Sequence, residues 1–148
     1  MKKNGFTITE VAVTAVIVVL IGIAIASTCL ISANNSNKTK TLHFAINEIY
    51  NVQEIFTSSV IENSGEVDYT NLKDNILEYY GDKATCILEE NKCTLTLFLD
   101  NNYTINNSSN SYVKIVFESE NQSVTMGVDV MYKNNSIYNN ANIFKRWI

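Results

Sequence analysis

No proline occurs anywhere in the chain, and histidine occurs once, at His43. Cys86 and Cys93 lie close together, but zinc takes four ligands, and His43 is far off in sequence while Cys29 sits at the end of the apolar run. No metal and no other cofactor is expected. The same scarcity weakens acyl-transfer chemistry, because a Ser–His–Asp arrangement would have to use His43 on a helical face. Glycine occurs five times, and no Gly-rich loop of the kind that cradles phosphate is present. Cations are also in the minority. Eleven Lys and Arg stand against 15 Asp and Glu, a formal net charge of −4, which argues against nucleic acid as a bulk partner. The most consequential absence is local: after Glu10 no charged residue appears until Lys38.

Residues 11–31 form an uncharged run of 21 residues rich in Val, Ile and Ala. As a helix rising ~1.5 Å per residue this is about 31 Å, the thickness of a bilayer core. Lys2 and Lys3 precede it and, by the positive-inside bias, put the N-terminus in the cytoplasm and the C-terminal part outside. An acid at the threshold of such a segment is costly, so Glu10 is a functional residue by default.

The run admits several readings. It fits a plain single-pass anchor. Ala24-Ile25-Ala26 has the small-x-small form that precedes secretory cleavage, here before Ser27, which would free a secreted binding domain or enzyme. Cys29 as a lipoprotein cysteine is disfavoured by Thr28, where glycine or alanine belongs.

A further reading accounts for more of the residues. A short basic head ends at Gly5, followed by Phe6, Thr7, the branched aliphatic Ile8, then Glu10 and an apolar continuation. This pattern resembles the class III signal of type IV pilins and type II secretion pseudopilins. The resemblance covers about 26 residues. It implies cleavage between Gly5 and Phe6 by a prepilin peptidase, N-methylation of Phe6, and Glu10 as the fifth residue of the mature chain. It further implies that Glu10 neutralises a neighbouring subunit's terminal amine in a filament. Sister subunits, an assembly ATPase and a platform protein are the implied partners. The implied location is the cytoplasmic membrane, single-pass with the C-terminal domain outside, and then an extracellular or periplasmic filament. A DNA-uptake minor pilin would differ only in surface charge layout. Thr9 stands where the family prefers an aliphatic residue, Thr14 is another hydroxyl inside the stem, and on a helix both can bond back to upstream carbonyls. The proline common partway along the family's stem is missing; Ser27 lies near its place, and Gly22 offers some local flexibility instead.

Beyond the run, Ser32 to Thr41 read alone as a linker or frayed helix. Leu42, Ala45, Ile49, Val52 and Phe56 then recur at spacings of three and four, one apolar helical face that needs a partner surface. His43 falls on this helix as a half-exposed residue. Asn63-Ser64-Gly65 breaks it. Asp68 or Thr70 caps a short second helix through Tyr80, with Leu72, Ile76 and Leu77 inward and Gly81 as its stop. Strand-like runs follow at 84–88, 94–99, 112–118 and 124–132, in which Leu95, Leu97 and Leu99, and Val113, Ile115 and Phe117, occupy alternate positions. The expectation is an α+β chain of four segments: a leader (1–5), a transmembrane assembly helix (6–32), its amphipathic continuation (33–62) and a globular part (63–148). A small antiparallel sheet of about four strands packs on the helix, in the pilin-like manner the resemblance implies.

Glu89-Glu90-Asn91-Lys92 turns the first hairpin, with Cys86 and Cys93 facing each other across it. If this half lies outside the cytoplasm, an oxidised Cys86–Cys93 pair is one reading, and two buried free thiols on neighbouring strands the other. Asp100 with Asn101 and Asn102 offers oxygens suited to calcium, yet one carboxylate is thin for that ion. In the closing Phe144-Lys145-Arg146-Trp147-Ile148, an edge segment packing Phe144 and Trp147 on the sheet is favoured over a partner-docking tail.

Overall fold

The apolar stripe at residues 42–56 is the reason the polar-flanked second half of the first helix folds onto something rather than standing in water. In the computed structural model, which describes residues 8–62, 67–120 and 123–147, that stripe lies on helix α1 (Ile8–Glu62). The chain divides into two compact units, Met1–Asn37 and Lys38–Ile148, and the stripe belongs to the second. Residues 32–41, linker-like in isolation, continue the helix without a break. The break expected at Asn63-Ser64-Gly65 lies outside the described residues, as do Gly5 and Phe6.

Within the second unit the buried face of α1 is Ala45, Ile49, Val52, Phe56 and Val60, with Leu42 half-buried beside them. Helix α2 (Tyr69–Tyr80) starts at Asp68, whose carboxylate accepts the backbone N–H groups of Thr70 and Asn71 at 2.8 and 3.2 Å. Two of the amides left over at a helix start are satisfied in this way. The helix ends at Gly81, whose φ of +63° puts it in the region that favours glycine. Leu72, Ile76 and Tyr80 are its buried residues, and Leu77 is half-buried. Asn75 Nδ2 donates to Ser59 Oγ at 2.9 Å, and Tyr80 Oη donates to Glu48 Oε2 at 2.6 Å, so two polar links tie α2 to α1.

One 3₁₀ turn (Gly81–Lys83) leads into six antiparallel strands: β1 (Ala84–Glu89), β2 (Lys92–Leu99), β3 (Ile105–Asn106), β4 (Ser111–Glu120), β5 (Ser123–Tyr132) and β6 (Asn135–Trp147). Their order is β1-β2-β4-β5-β6, and the two-residue β3 pairs with the end of β2. Alternation sets which face is dry. Cys93, Leu95, Leu97 and Leu99 on β2, Val113, Ile115 and Phe117 on β4, and Val124, Met126, Val128 and Val130 on β5 are all buried. With the inward residues of α1 and α2 they make one core. The α+β class and the helix-on-sheet packing are therefore as the sequence leads one to expect.

The strand count differs. Instead of about four strands there are six among the described residues, because the Asn-rich stretch 135–147 pairs along β5 as a long sixth strand and 105–106 form a short bridge. Lys133 and Asn134, with φ of 49° and 62°, make the two-residue turn that starts β6. Positive φ at both central positions matches the twist of the flanking strands. The pairing of β5 with β6 shifts register between Met126 and Val128 and again between Val130 and Met131. At the first shift Gly127 lies against Ala141; a Cβ built there would stand 3.2 Å from the Ala141 carbonyl oxygen. The side chains of Phe144 and Trp147 lie outside what the structure describes, although the backbone of both pairs in β6.

Candidate functional site

The described residues of the first unit, 8–37, form the first part of α1. From Thr9 to Ser36 every described side chain is exposed, Val18 by 62 % and Leu30 by 72 %. The helix is long and apolar enough to cross a membrane. Core helices of water-soluble proteins and N-terminal signal sequences can be as long and as apolar; core helices are mostly buried, and here 0 % of the most apolar stretch is. Three of its hydroxyls are turned back onto the helix itself. Thr14 Oγ1 donates to the Glu10 carbonyl at 2.7 Å, Ser27 Oγ to that of Ile23 at 2.8 Å, and Thr28 Oγ1 to that of Ala24 at 2.9 Å. A hydroxyl satisfied within its own helix adds little to the cost of a hydrocarbon environment. Cys29 is exposed on the same helix. Nothing stands within 4 Å of where a Cβ on Gly22 would lie.

Glu10 sits in the first turn of α1 with its side chain exposed. A carboxylate there complements the partial positive charge of a helix start. It is also the only acid in the apolar half of the helix, since the next charged residue is Lys38.

In the second unit the structure brings Cys86 and Cys93 together. Their Sγ atoms lie 3.3 Å apart, Cys93 buried and Cys86 half-buried. They do not sit directly opposite one another. The hairpin turns on Glu90 and Asn91, which pairs Cys86 with Leu95 and Cys93 with Leu88, so the two sulfurs meet on a diagonal. The contact with Cys93 holds the Cys86 thiol below its ordinary value, with a smaller contribution from the Lys73 ammonium. The Cys93 thiol is pushed up by the same contact and by burial.

Asp100 is committed to its own loop. Its Oδ1 accepts the backbone N–H of Asn102 at 2.8 Å and of Thr104 at 2.9 Å, and its Oδ2 accepts the Thr104 hydroxyl at 2.8 Å. The Thr104 backbone bond, then the Thr104 hydroxyl, hold this carboxyl below the usual range. A carboxylate occupied in this way is a turn-former. Among the described residues no three His, Cys, Asp or Glu side chains gather as metal ligands would. His43 is exposed on α1.

Glu48 is half-buried on α1, off the apolar stripe, where no sequence motif marks it. It accepts hydrogen bonds from Tyr80 Oη and from Asn51 Nδ2, the latter at 3.3 Å. Burial, and then Glu48 itself, push the Tyr80 phenol up. An open apolar groove runs between α1 and the β5–β6 edge, lined by Leu42, Ile46, Ile49, Tyr50, Val130 and Tyr138. Comparison with known proteins finds no family model, no curated protein and no solved structure that matches the chain.

Proposed function

We propose that this chain is a structural subunit, a pilin or pseudopilin, that polymerises through the first half of α1 after cleavage between Gly5 and Phe6. The observation that carries the proposal is a bilayer-length helix, exposed all round, whose one acid stands at its start a few residues after a Gly-Phe junction. In this reading Lys2 and Lys3 hold the head in the cytoplasm, the Lys38–Ile148 unit lies on the far side of the membrane, and a prepilin peptidase releases residues 1–5.

Assembly then follows from elementary electrostatics. Cleavage creates a cationic amine on Phe6, which the family methylates. Packing stems together takes that amine and the Glu10 carboxylate out of water. One buried charge without a counter-ion costs roughly 3–5 kcal/mol, and a close pair avoids most of that penalty. Glu10 of one subunit against the Phe6 amine of the next therefore fixes the axial step, because a shift in register separates the charges. Little hydrophobic force acts between helices that leave lipid for one another, so side-chain packing and this pair decide the arrangement. The prepilin peptidase, an assembly ATPase, a platform protein and sister subunits are the partners this mechanism requires.

Intact-mass measurement of the protein from its native host tests the reading. A mature chain that begins at Phe6 and carries an added methyl group is expected. A chain beginning at Ser27 would instead mean a secreted domain, and one retaining Met1 to Gly5 would mean a plain anchor; either removes the filament-subunit proposal.

A further inference from the structure

Cys86 and Cys93 stand out among the second unit's side chains because nothing in the assembly mechanism uses them. Both point to the core face of the sheet, Cys86 between Ala84 and Leu88 along β1 and Cys93 next to Leu95 along β2. The sulfurs already lie 3.3 Å apart. A bond length of ~2.05 Å requires them to approach by a little over one ångström, which rotation about the side-chain torsions of an edge strand can supply. β1 is that edge: among the described residues it pairs with β2 alone. Helix α2 packs against β1, and its Lys73 places a cation near both sulfurs.

We infer that Cys86 and Cys93 are a disulfide-forming pair that closes a bond within the β1–β2 hairpin when a disulfide oxidant reaches the half-exposed Cys86. Cys86, as thiolate, attacks one sulfur of the oxidant, a small-molecule or protein disulfide. A mixed disulfide forms and the oxidant's other sulfur leaves as thiolate. Cys93 then loses its proton and attacks the Cys86 sulfur, expelling the oxidant's remaining thiolate. Two protein thiols are oxidised to one disulfide, the oxidant's disulfide is reduced to two thiols, and the two protons released end on them. The order of events follows from access, since Cys86 is half-exposed while Cys93 is buried. The product pins the free edge of the sheet to its neighbour, which restricts the fraying an edge strand is prone to. This inference is independent of whether the stem assembles.

The test uses the full chain in detergent micelles with Cys29→Ser, so that no other thiol can take part. The reduced protein is exposed to glutathione disulfide without denaturant, then unfolded and alkylated with N-ethylmaleimide, and its unreduced peptides are weighed. Loss of two hydrogens from the intact monomer, no label on either cysteine and an internally bridged 86–93 segment are expected. The oxidised form should also unfold at a higher urea concentration than the reduced form. Full labelling of both cysteines, a persistent glutathione adduct on Cys86 with Cys93 still labelled, or a bridge between two chains would each overturn the inference. Cys86→Ser, at a half-exposed position that tolerates a hydroxyl, guards against misfolding. In that variant Cys93 should remain fully labelled and the urea midpoint should no longer respond to oxidant.

Discussion

The rings of Phe56 and Phe117 stack with centroids 4.7 Å apart and planes within 9° of parallel, joining α1 to the middle of the sheet. Both side chains are wholly buried. Phe56 lies on the buried face of α1 between Val52 and Val60, and Phe117 follows Ile115 on the buried face of β4. Removing either ring leaves a void bounded by a helix and a sheet, neither of which can collapse to fill it. Phe56→Ala and Phe117→Ala should each cost about 3–5 kcal/mol, read from urea unfolding of the full chain in micelles. Because the rings share one contact, the double variant should lose less than the sum of the two.

The Tyr80–Glu48 hydrogen bond leads to a dependence on pH. Tyr80's phenol is pushed up in the folded chain, by burial first and by Glu48 second. A group with a raised folded value stabilises fully below its unfolded value, ~10 for tyrosine, and that contribution is lost as pH climbs toward the folded value. Stability of the native chain should therefore fall above pH ~10, and Tyr80→Phe should show a shallower fall. At neutral pH the same substitution should cost about 1–2 kcal/mol, since the half-buried Glu48 loses its phenol partner. A pH series of urea midpoints on both proteins gives the comparison.

Asp100 has the opposite sign. The Thr104 backbone amide and hydroxyl hold its carboxyl low, so its contribution is present above the unfolded value, ~3.9, and disappears as pH falls through the lower folded value. The carboxylate lies at the surface and bonds only within its own loop, so the readout is local. Asp100→Ala should free the Asn102 and Thr104 amides to exchange rapidly at neutral pH, while the amides of β2 stay protected. Native amides at those two positions should open in the same way only in acid. Uniform loss of protection across β2 would contradict the local role.

How far the sequence anticipates this fold depends on the kind of signal each segment carries. Leu95, Leu97 and Leu99 alternate with more polar neighbours, and periodicity of two is enough to mark a half-buried strand. Leu42 to Phe56 is equally legible at helical spacing. The stretch 135–147 is not, because its asparagines are poor strand formers and Lys133-Asn134 lacks the Asn-Gly form that announces a tight hairpin. It becomes a strand because β5 offers an edge to pair with, a tertiary cause that no local window contains. Residues 32–41 show the converse, a polar stretch that is helical because helix flanks it on both sides. Of the candidate site, the composition of the stem was plain from the sequence, and so was the nearness of Cys86 and Cys93. Their diagonal placement was not, since it depends on which two residues occupy the turn.

The termini of α2 give a prediction that separates backbone from side-chain effects. Gly81 combines a φ of +63° with a ψ of −151°, a region essentially reserved for glycine, so Gly81→Ala meets no neighbouring atom yet should cost about 1–3 kcal/mol in backbone strain. Asp68→Ala removes the acceptor for two amides and should cost about 1 kcal/mol. The sites are far apart in sequence and share no partner, so the double variant should show simple addition. Urea midpoints of the three variants decide it.

Glu10 separates two physical roles that its position allows. As a helix-start acid it would lend α1 a few tenths of a kcal/mol through the macrodipole, an effect confined to the single chain. As half of an intersubunit pair it would govern assembly and leave the isolated chain nearly unchanged. Glu10→Val keeps a side chain suited to lipid and leaves the Gly5-Phe6 junction intact. The variant should be cleaved and methylated normally and should retain the helicity of the native chain in micelles, yet enter filaments poorly, because the Phe6 amine would then be buried without a counter-charge. Glu10→Asp, with the charge kept but the reach shortened, should fall between the two. Filament yield per processed subunit, measured in the native host for the three chains, gives the answer. Normal incorporation of the Val variant would assign Glu10 to the helix start alone.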